Sequence, residues 1–120
     1  HCTLYNVGAG AANYRLLYVR CVGNELIFTN NIVVGTTYKR GFTNQSKSDP
    51  EPTLQNNYYY KCENLTSPGA GADATIVWFD TEGTIGDPGF KNADAADFTL
   101  NVDGTAYKGK AGDSRWIKAQ

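Results

Sequence analysis

Phe28-Thr29-Asn30-Asn31-Ile32-Val33-Val34 can be laid on Leu54-Gln55-Asn56-Asn57-Tyr58-Tyr59-Tyr60 with both asparagine pairs in register, 26 residues apart. A third copy, His1-Cys2-Thr3-Leu4-Tyr5, falls on Asn30-Asn31-Ile32-Val33-Val34 at a spacing of 29. Each copy reads as a strand, a polar pair at a bend, then a second strand. A strand–bend–strand unit recurring every twenty to thirty residues is the signature of a solenoid, in which each coil of chain stacks on the one below. Asparagine tolerates the left-handed backbone at such a bend, and its side-chain amide can bond the equivalent amide one coil away. Stacked asparagines then form a ladder at about the 4.8 Å strand spacing. Each buried rung of that ladder contributes about 1 kcal/mol, and an unpaired one costs more. The rival is an all-β sandwich. It would call for two-residue Asn-Gly turns or one-sided alternating strands, and neither is present.

The rest of the chain agrees with an all-β reading. Its 120 residues have the length of one domain, with 41% apolar and 19% charged side chains. Eleven Lys+Arg against twelve Asp+Glu leave no basic excess, so a duplex nucleic-acid partner is not expected. No apolar run approaches the roughly 18 residues of a transmembrane helix. Strand-forming runs cover Leu16–Val22, Leu26–Thr29, Ile32–Val34, Thr53–Gln55, Tyr58–Cys62, Ala74–Phe79 and Phe98–Val102. Three long polar stretches read as loops: Thr43–Pro52, Thr66–Ala72 and Gly86–Asp97. An apolar run directly after His1 reads as a cut chain whose first strand edge is covered by upstream coils or by a neighbouring chain. Cys2, Cys21 and Cys62 are odd in number and lack a C-x-x-C spacing, so they read as small buried residues, with one bridge left open. The single histidine, His1, makes a zinc site improbable.

The C-terminal third has turn chemistry of its own. Asp87-Pro88-Gly89 favours a tight turn that would let Phe90 plug the last coil, while Phe98 and Leu100 alternate with Thr99 as a strand to close the open end. The expected organisation is thus residues 1–85 as about three or four coils and residues 86–120 as a capping segment of the same domain.

These bends resemble the last coils of right-handed parallel β-helix proteins of the pectate-lyase-like superfamily. Gly86-Asp87-Pro88-Gly89-Phe90-Lys91-Asn92 followed by Ala96-Asp97-Phe98-Thr99-Leu100 is similar to the "DPxF…DFxL" phrase with which many such chains end. Ala111-Gly112-Asp113-Ser114-Arg115-Trp116 is close to the "GDPRW" ending of an uncharacterised C-terminal domain of gut-bacterial surface proteins in polysaccharide-utilisation systems. Ser114 stands where that pattern has proline, which leaves the final turn less rigid. The resemblance covers nearly the whole chain. It implies a right-handed parallel β-helix fragment with a C-terminal cap, in an extracellular or outer-membrane-anchored bacterial protein that handles polysaccharide, an acidic one among the choices. Lyases on this fold use calcium-binding carboxylates with an Arg or Lys base, so calcium enters only if the parent chain is a lyase.

No catalytic constellation and no metal site emerge from the residues. Asp80, Glu82 and Asp87 are the carboxylates available to calcium, which takes six to eight oxygens, yet they read as solvated turn residues. Asp80 with Glu82 would be near enough for glycosidase chemistry if both pointed out of the same strand face, and nothing else supports the pair. Ser-His-Asp or Cys-His catalysis has only His1 to draw on. The candidate ligand-binding residues are therefore basic and aromatic. Lys39 and Arg40 follow one Asn bend, Lys61 follows the next, and stacked cations on one face suit an acidic sugar. Tyr38, Tyr59 and Trp78 are the candidate ring platforms, although strand alternation leaves open whether Tyr59 or the pair Tyr58 and Tyr60 faces outward. Three functions follow: non-catalytic glycan binding, the closing coils of a pectate-type lyase whose active site lies upstream, or a structural cap without ligand.

Overall fold

The computed structural model describes residues 1–7, 16–19, 25–37, 42–44, 52–67 and 77–118. It is an all-β chain of short strands with little helix. The strands are β1 (Thr3–Tyr5), β2 (Leu17–Val19), β3 (Ile27–Thr29), β4 (Ile32–Val34), β5 (Phe42–Asn44), β6 (Thr53–Gln55), β7 (Tyr58–Tyr60), β8 (Val77–Trp78), β9 (Thr84–Ile85), β10 (Phe90–Asn92) and β11 (Asp97–Leu100). Among the described residues, one short helix, α1 (Thr105–Lys108), and two 3-10 turns, Ala93–Ala95 and Ser114–Trp116, accompany them.

Four strands form a parallel sheet in the order β1-β4-β7-β9. Its register places Thr3 beside Ile32 and Ile32 beside Tyr58, which are the spacings of 29 and 26 read from the sequence. β3 and β6 pair parallel with the same shift, Phe28 opposite Leu54. β2, β5 and β8 form a third sheet, in which β5 and β8 run antiparallel.

The bends explain why these strands stack. Asn30 and Asn56 take φ of 59° and 53°, a left-handed conformation that asparagine enters more easily than most residues. Each pair thereby sends its first asparagine outward and its second inward. Asn31 Nδ2 donates to Asn57 Oδ1 at 3.1 Å, and both side chains are buried. Outside, Asn56 Nδ2 donates to Asn30 Oδ1 at 2.8 Å.

Both faces of the two middle strands, β4 and β7, are buried. Val33 and Tyr59 pack with Phe28, Phe42 and Leu65, against which Leu4, Leu54 and Trp78 lean. Ile32, Val34 and Tyr58 point the other way and pack with Leu100, Ala106 and Ala111. A parallel sheet covered on both sides tolerates unbroken apolar runs such as Ile-Val-Val and Tyr-Tyr-Tyr. Each such side chain contributes roughly 1.5–3 kcal/mol by leaving water.

In the C-terminal third, β10 and β11 form an antiparallel hairpin. Phe90 and Leu100 of that hairpin, with Ala106 and Ala111 of the segment after it, pack on Ile32, Val34 and Tyr58. Four contacts sew the segment down: Gly112 N–H to Asn30 O at 2.7 Å, Asp113 N–H to Thr3 Oγ1 at 3.0 Å, Asn56 Nδ2 to Gly109 O at 2.8 Å and the Tyr58 hydroxyl to Thr105 O at 3.3 Å. Gly109 and Gly112 are glycines of necessity, since a Cβ would overlap the Tyr58 hydroxyl at one and Ile32 at the other. Ile85, in register with Tyr59, is 72% exposed.

Other expectations shift in detail. Thr43 opens no loop but sits buried in β5, and Gly86–Asp97 contains β10 and a 3-10 turn. β9 had no strand signal beyond Thr84-Ile85 itself. Cys62 is half-buried and its thiol donates to Val33 O at 3.3 Å, whereas Cys2 is exposed; both are free thiols. Cys21 lies outside the described residues.

Candidate binding cleft

Three polar residues and a glycine line up where the strands of the parallel sheet end. Val34 is in register with both Tyr5 and Tyr60, so Asn6, Gly35 and Lys61 follow side by side, and Asp87 comes next beyond β9. Asn6 N–H donates to Val34 O at 2.7 Å and Gly35 N–H to Tyr60 O at 2.9 Å, carrying the ladder one residue past each strand. Asn6, Gly35 and Lys61 share a left-handed backbone, with φ of 57°, 78° and 53°. Glycine suits the middle position, where φ is positive and a Cβ would overlap the side-chain oxygen of Asn6.

The returning C-terminal segment turns this column into the wall of a cleft. Tyr5, Val34 and Tyr60 form one side, Phe90 and Ala93 the other, and Asn6, Lys61 and Asp87 supply the polar rim. The volume of about 370 Å³ is that of a small-molecule site. Phe90 and Phe98 brace the Tyr5 ring at centroid distances of 6.4 and 5.1 Å. Lys61 Nζ stands 5.3 Å from the Tyr60 ring centroid, within reach of a cation–π attraction. Asp87 Oδ1 accepts from Gly89 N–H at 2.9 Å, which fixes the carboxylate at the turn. Aromatic rings, an amide, an ammonium and a carboxylate thus meet in one cleft.

The six candidate residues fare differently. Lys61 is exposed and lines the cleft. Tyr59 is only 2% exposed, so its ring is no surface platform. Burial, then the Asp80 carboxylate that accepts its hydroxyl at 2.7 Å, push its phenol far above the ordinary range. Trp78 is half-buried against the cluster around Val33 and Phe42, away from the cleft. Tyr38, Lys39 and Arg40 lie outside the described residues. The sequence reading passed over Tyr5 and Asn6, kept Tyr60 only as the alternative to Tyr59, and gave Phe90 a plugging role; the signal for the first two was present in the register that aligns Tyr5-Asn6 with Tyr60-Lys61.

Asp80 is the main departure among the acids. Expected in a solvated turn, it is 2% exposed and accepts from Asn57 Nδ2 at 3.0 Å as well as from Tyr59. It ends the inner asparagine ladder: Cys2 N–H donates to Asn31 Oδ1, Asn31 to Asn57, and Asn57 to Asp80. Glu82 and Asp87 are exposed, so Asp80 and Glu82 do not face one substrate. Among the described residues no three His, Cys, Asp or Glu side chains gather as metal ligands.

The fold and cleft define an all-β domain with a small polar-rimmed aromatic cleft. The chain belongs to the family described as Domain of unknown function (DUF5123), whose model matches residues 1–116. No curated protein and no solved structure matches it.

Proposed function

We propose that this domain is a stack of coils of a right-handed parallel β-helix, the C-terminal part of an extracellular, surface-located protein that handles polysaccharide, and that its cleft binds glycan without catalysis. The observation that carries the reading is the convergence of the Tyr5, Tyr60 and Phe90 rings with Lys61, Asn6 and Asp87 in one cleft. The coil spacings and the two asparagine ladders support the architecture. Among the described residues a single carboxylate, Asp87, lines the cleft, and glycoside hydrolysis by the two-carboxylate route needs a second.

Isothermal titration of the chain with an oligogalacturonate and with a neutral plant oligosaccharide tests the proposal. Tyr60→Ala is expected to weaken binding of the sugar that binds by about tenfold, or ~1.4 kcal/mol. Lys61→Ala is expected to weaken the acidic sugar more than the neutral one. Absence of binding by either sugar, or equal affinity in wild type and Tyr60→Ala, overturns the reading. New absorbance of an unsaturated product with pectin would replace it with the lyase alternative.

A further inference from the structure

Tyr5, Val34 and Tyr60 occupy successive levels of the parallel sheet, and all three lie on the side that packs with Leu100, Ala106 and Ala111. Neighbouring strands are about 4.8 Å apart, so the two tyrosines, with β4 between them, stand roughly 10 Å from each other along a line that crosses the strands. Both are half-buried and line the cleft. The level between them is built from small residues. Val34, 5% exposed, forms the floor, and Gly35 leaves room for the Asn6 side chain, whose carbonyl oxygen leans over it. Each polar residue follows a ring or floor residue by one position, so a polar column runs beside the row of rings: the Asn6 amide, then the Lys61 ammonium, then the Asp87 carboxylate held by Gly89 N–H.

This row sets the shape and direction of its ligand. A molecule laid along a strand meets one tyrosine. A molecule laid across the strands meets both, and needs an apolar face at two places about two strand spacings apart. Pyranose units joined by equatorial β-1,4 bonds have that form: each unit is turned by half a rotation from the one before, so the first and third present the same face to one side, at close to two strand spacings. The second unit then passes over Val34, and hydroxyls along the edge of the ribbon meet the polar column. An α-1,4-linked chain curves away from such a row. The column also selects on charge. Lys61 and Asp87 stand on neighbouring levels, so a ligand with net charge of either sign is attracted at one and repelled at the other, whereas hydroxyls accept from the ammonium and donate to the carboxylate and to Asn6 Oδ1.

We propose that the cleft takes a neutral, straight β-1,4-linked oligosaccharide of at least three units, laid across the strands with its first and third rings on Tyr5 and Tyr60. This rests on the glycan-binding reading of the cleft and narrows it to one class of ligand. Isothermal titration with cellobiose and cellotriose, with mannobiose and mannotriose, and with maltotriose and trigalacturonate tests it. One of the straight trisaccharides is expected to bind about tenfold more tightly than its own disaccharide, and than maltotriose or trigalacturonate. That advantage of three units over two is expected to vanish in Tyr60→Ala. A second measurement needs no variant: in the wild-type protein the amide NMR signals of Asn6, Gly35 and Lys61, which follow three different strands, are all expected to shift with the trisaccharide. Equal affinity for two and three units overturns the proposal, as does equal or tighter binding of maltotriose or trigalacturonate, or shifts confined to the residues of one strand. In each of those cases sugar binding lost in Tyr60→Ala leaves the glycan reading standing and the present proposal alone falls. If none of the sugars binds, both fall.

Discussion

Each asparagine pair splits one dipeptide between two environments. Asn30 and Asn56 hold the left-handed bend and bond at the surface, while Asn31 and Asn57 fill buried space with amides that need partners. Asn57 has four such bonds: it accepts from Asn31 N–H and Nδ2, and donates to Phe28 O and to Asp80. Asn57→Ala is expected to cost about 3 kcal/mol in urea unfolding, since it strands a buried carboxylate and a buried amide, and Asn56→Ala about 1 kcal/mol. Tyr59 gives the same site an alkaline limit. Its folded phenol keeps its proton above the ordinary value near pH 10, where the unfolded chain gives it up, so stability is whole below about pH 10 and falls as pH rises beyond it. Tyr59→Phe is expected to lose about 1–3 kcal/mol at neutral pH and to flatten that alkaline decline in a melting series. At the acid end the signs reverse. Bonds from Thr99 hold the Asp97 carboxyl below its usual range, and Arg115 does so for Asp113 with its guanidinium 2.7 Å away. Their contribution is present above about pH 4 and fades as pH falls further, and carboxyl titration by NMR should place both midpoints under that of an ordinary aspartate.

At the scale of elements, the sheet is stable because something lies on each face. Leu100, 1% exposed, is the hairpin's contact with Ile32 and Tyr58, and Leu100→Ala is expected to cost about 2–5 kcal/mol. Ile85→Ala, at a 72% exposed position, is expected to change urea stability by less than about 0.5 kcal/mol. The stacking strands around the asparagine pairs were legible in sequence because two bends of identical chemistry fix a register without any knowledge of the partner strand. The outward or inward sense of Tyr58-Tyr59-Tyr60 was not. A strand buried on both faces has no alternation to read, and the second face is covered from far along the chain, by Leu100, Ala106 and Ala111. Thr84-Ile85 escaped notice because two residues carry almost no pattern; its pairing with Tyr58-Tyr59 makes it a strand. The cleft was legible by half. Lys61 stood out as a cation after a bend, whereas Asp87 and Phe90 join it through a chain reversal whose landing place is set by Gly109 and Gly112. Asp80 was misplaced because a carboxylate beside Thr81-Glu82-Gly83 resembles a turn, and nothing local reveals that the asparagine ladder ends on it.

Over the whole molecule, the last turns of the chain are anchored on the first strand. Asp113 N–H meets Thr3 Oγ1 across 110 residues of sequence, and Gly112 N–H meets Asn30 O. Thr3→Val is expected to speed unfolding severalfold, by about 1 kcal/mol, while leaving the refolding rate nearly unchanged, since so distant a contact forms late. Stopped-flow traces in both directions would check the split. The same closure sets the timing of folding during synthesis. Pairing of β1 with β4 and of β4 with β7 needs only neighbouring stretches, but one flank of that sheet, with Ile32, Val34 and Tyr58, stays wet until residues 100–112 have left the ribosome. At typical elongation rates of about 5–20 residues per second, the nascent chain carries that bare apolar flank for a few seconds, a window in which chaperone capture or aggregation competes with closure.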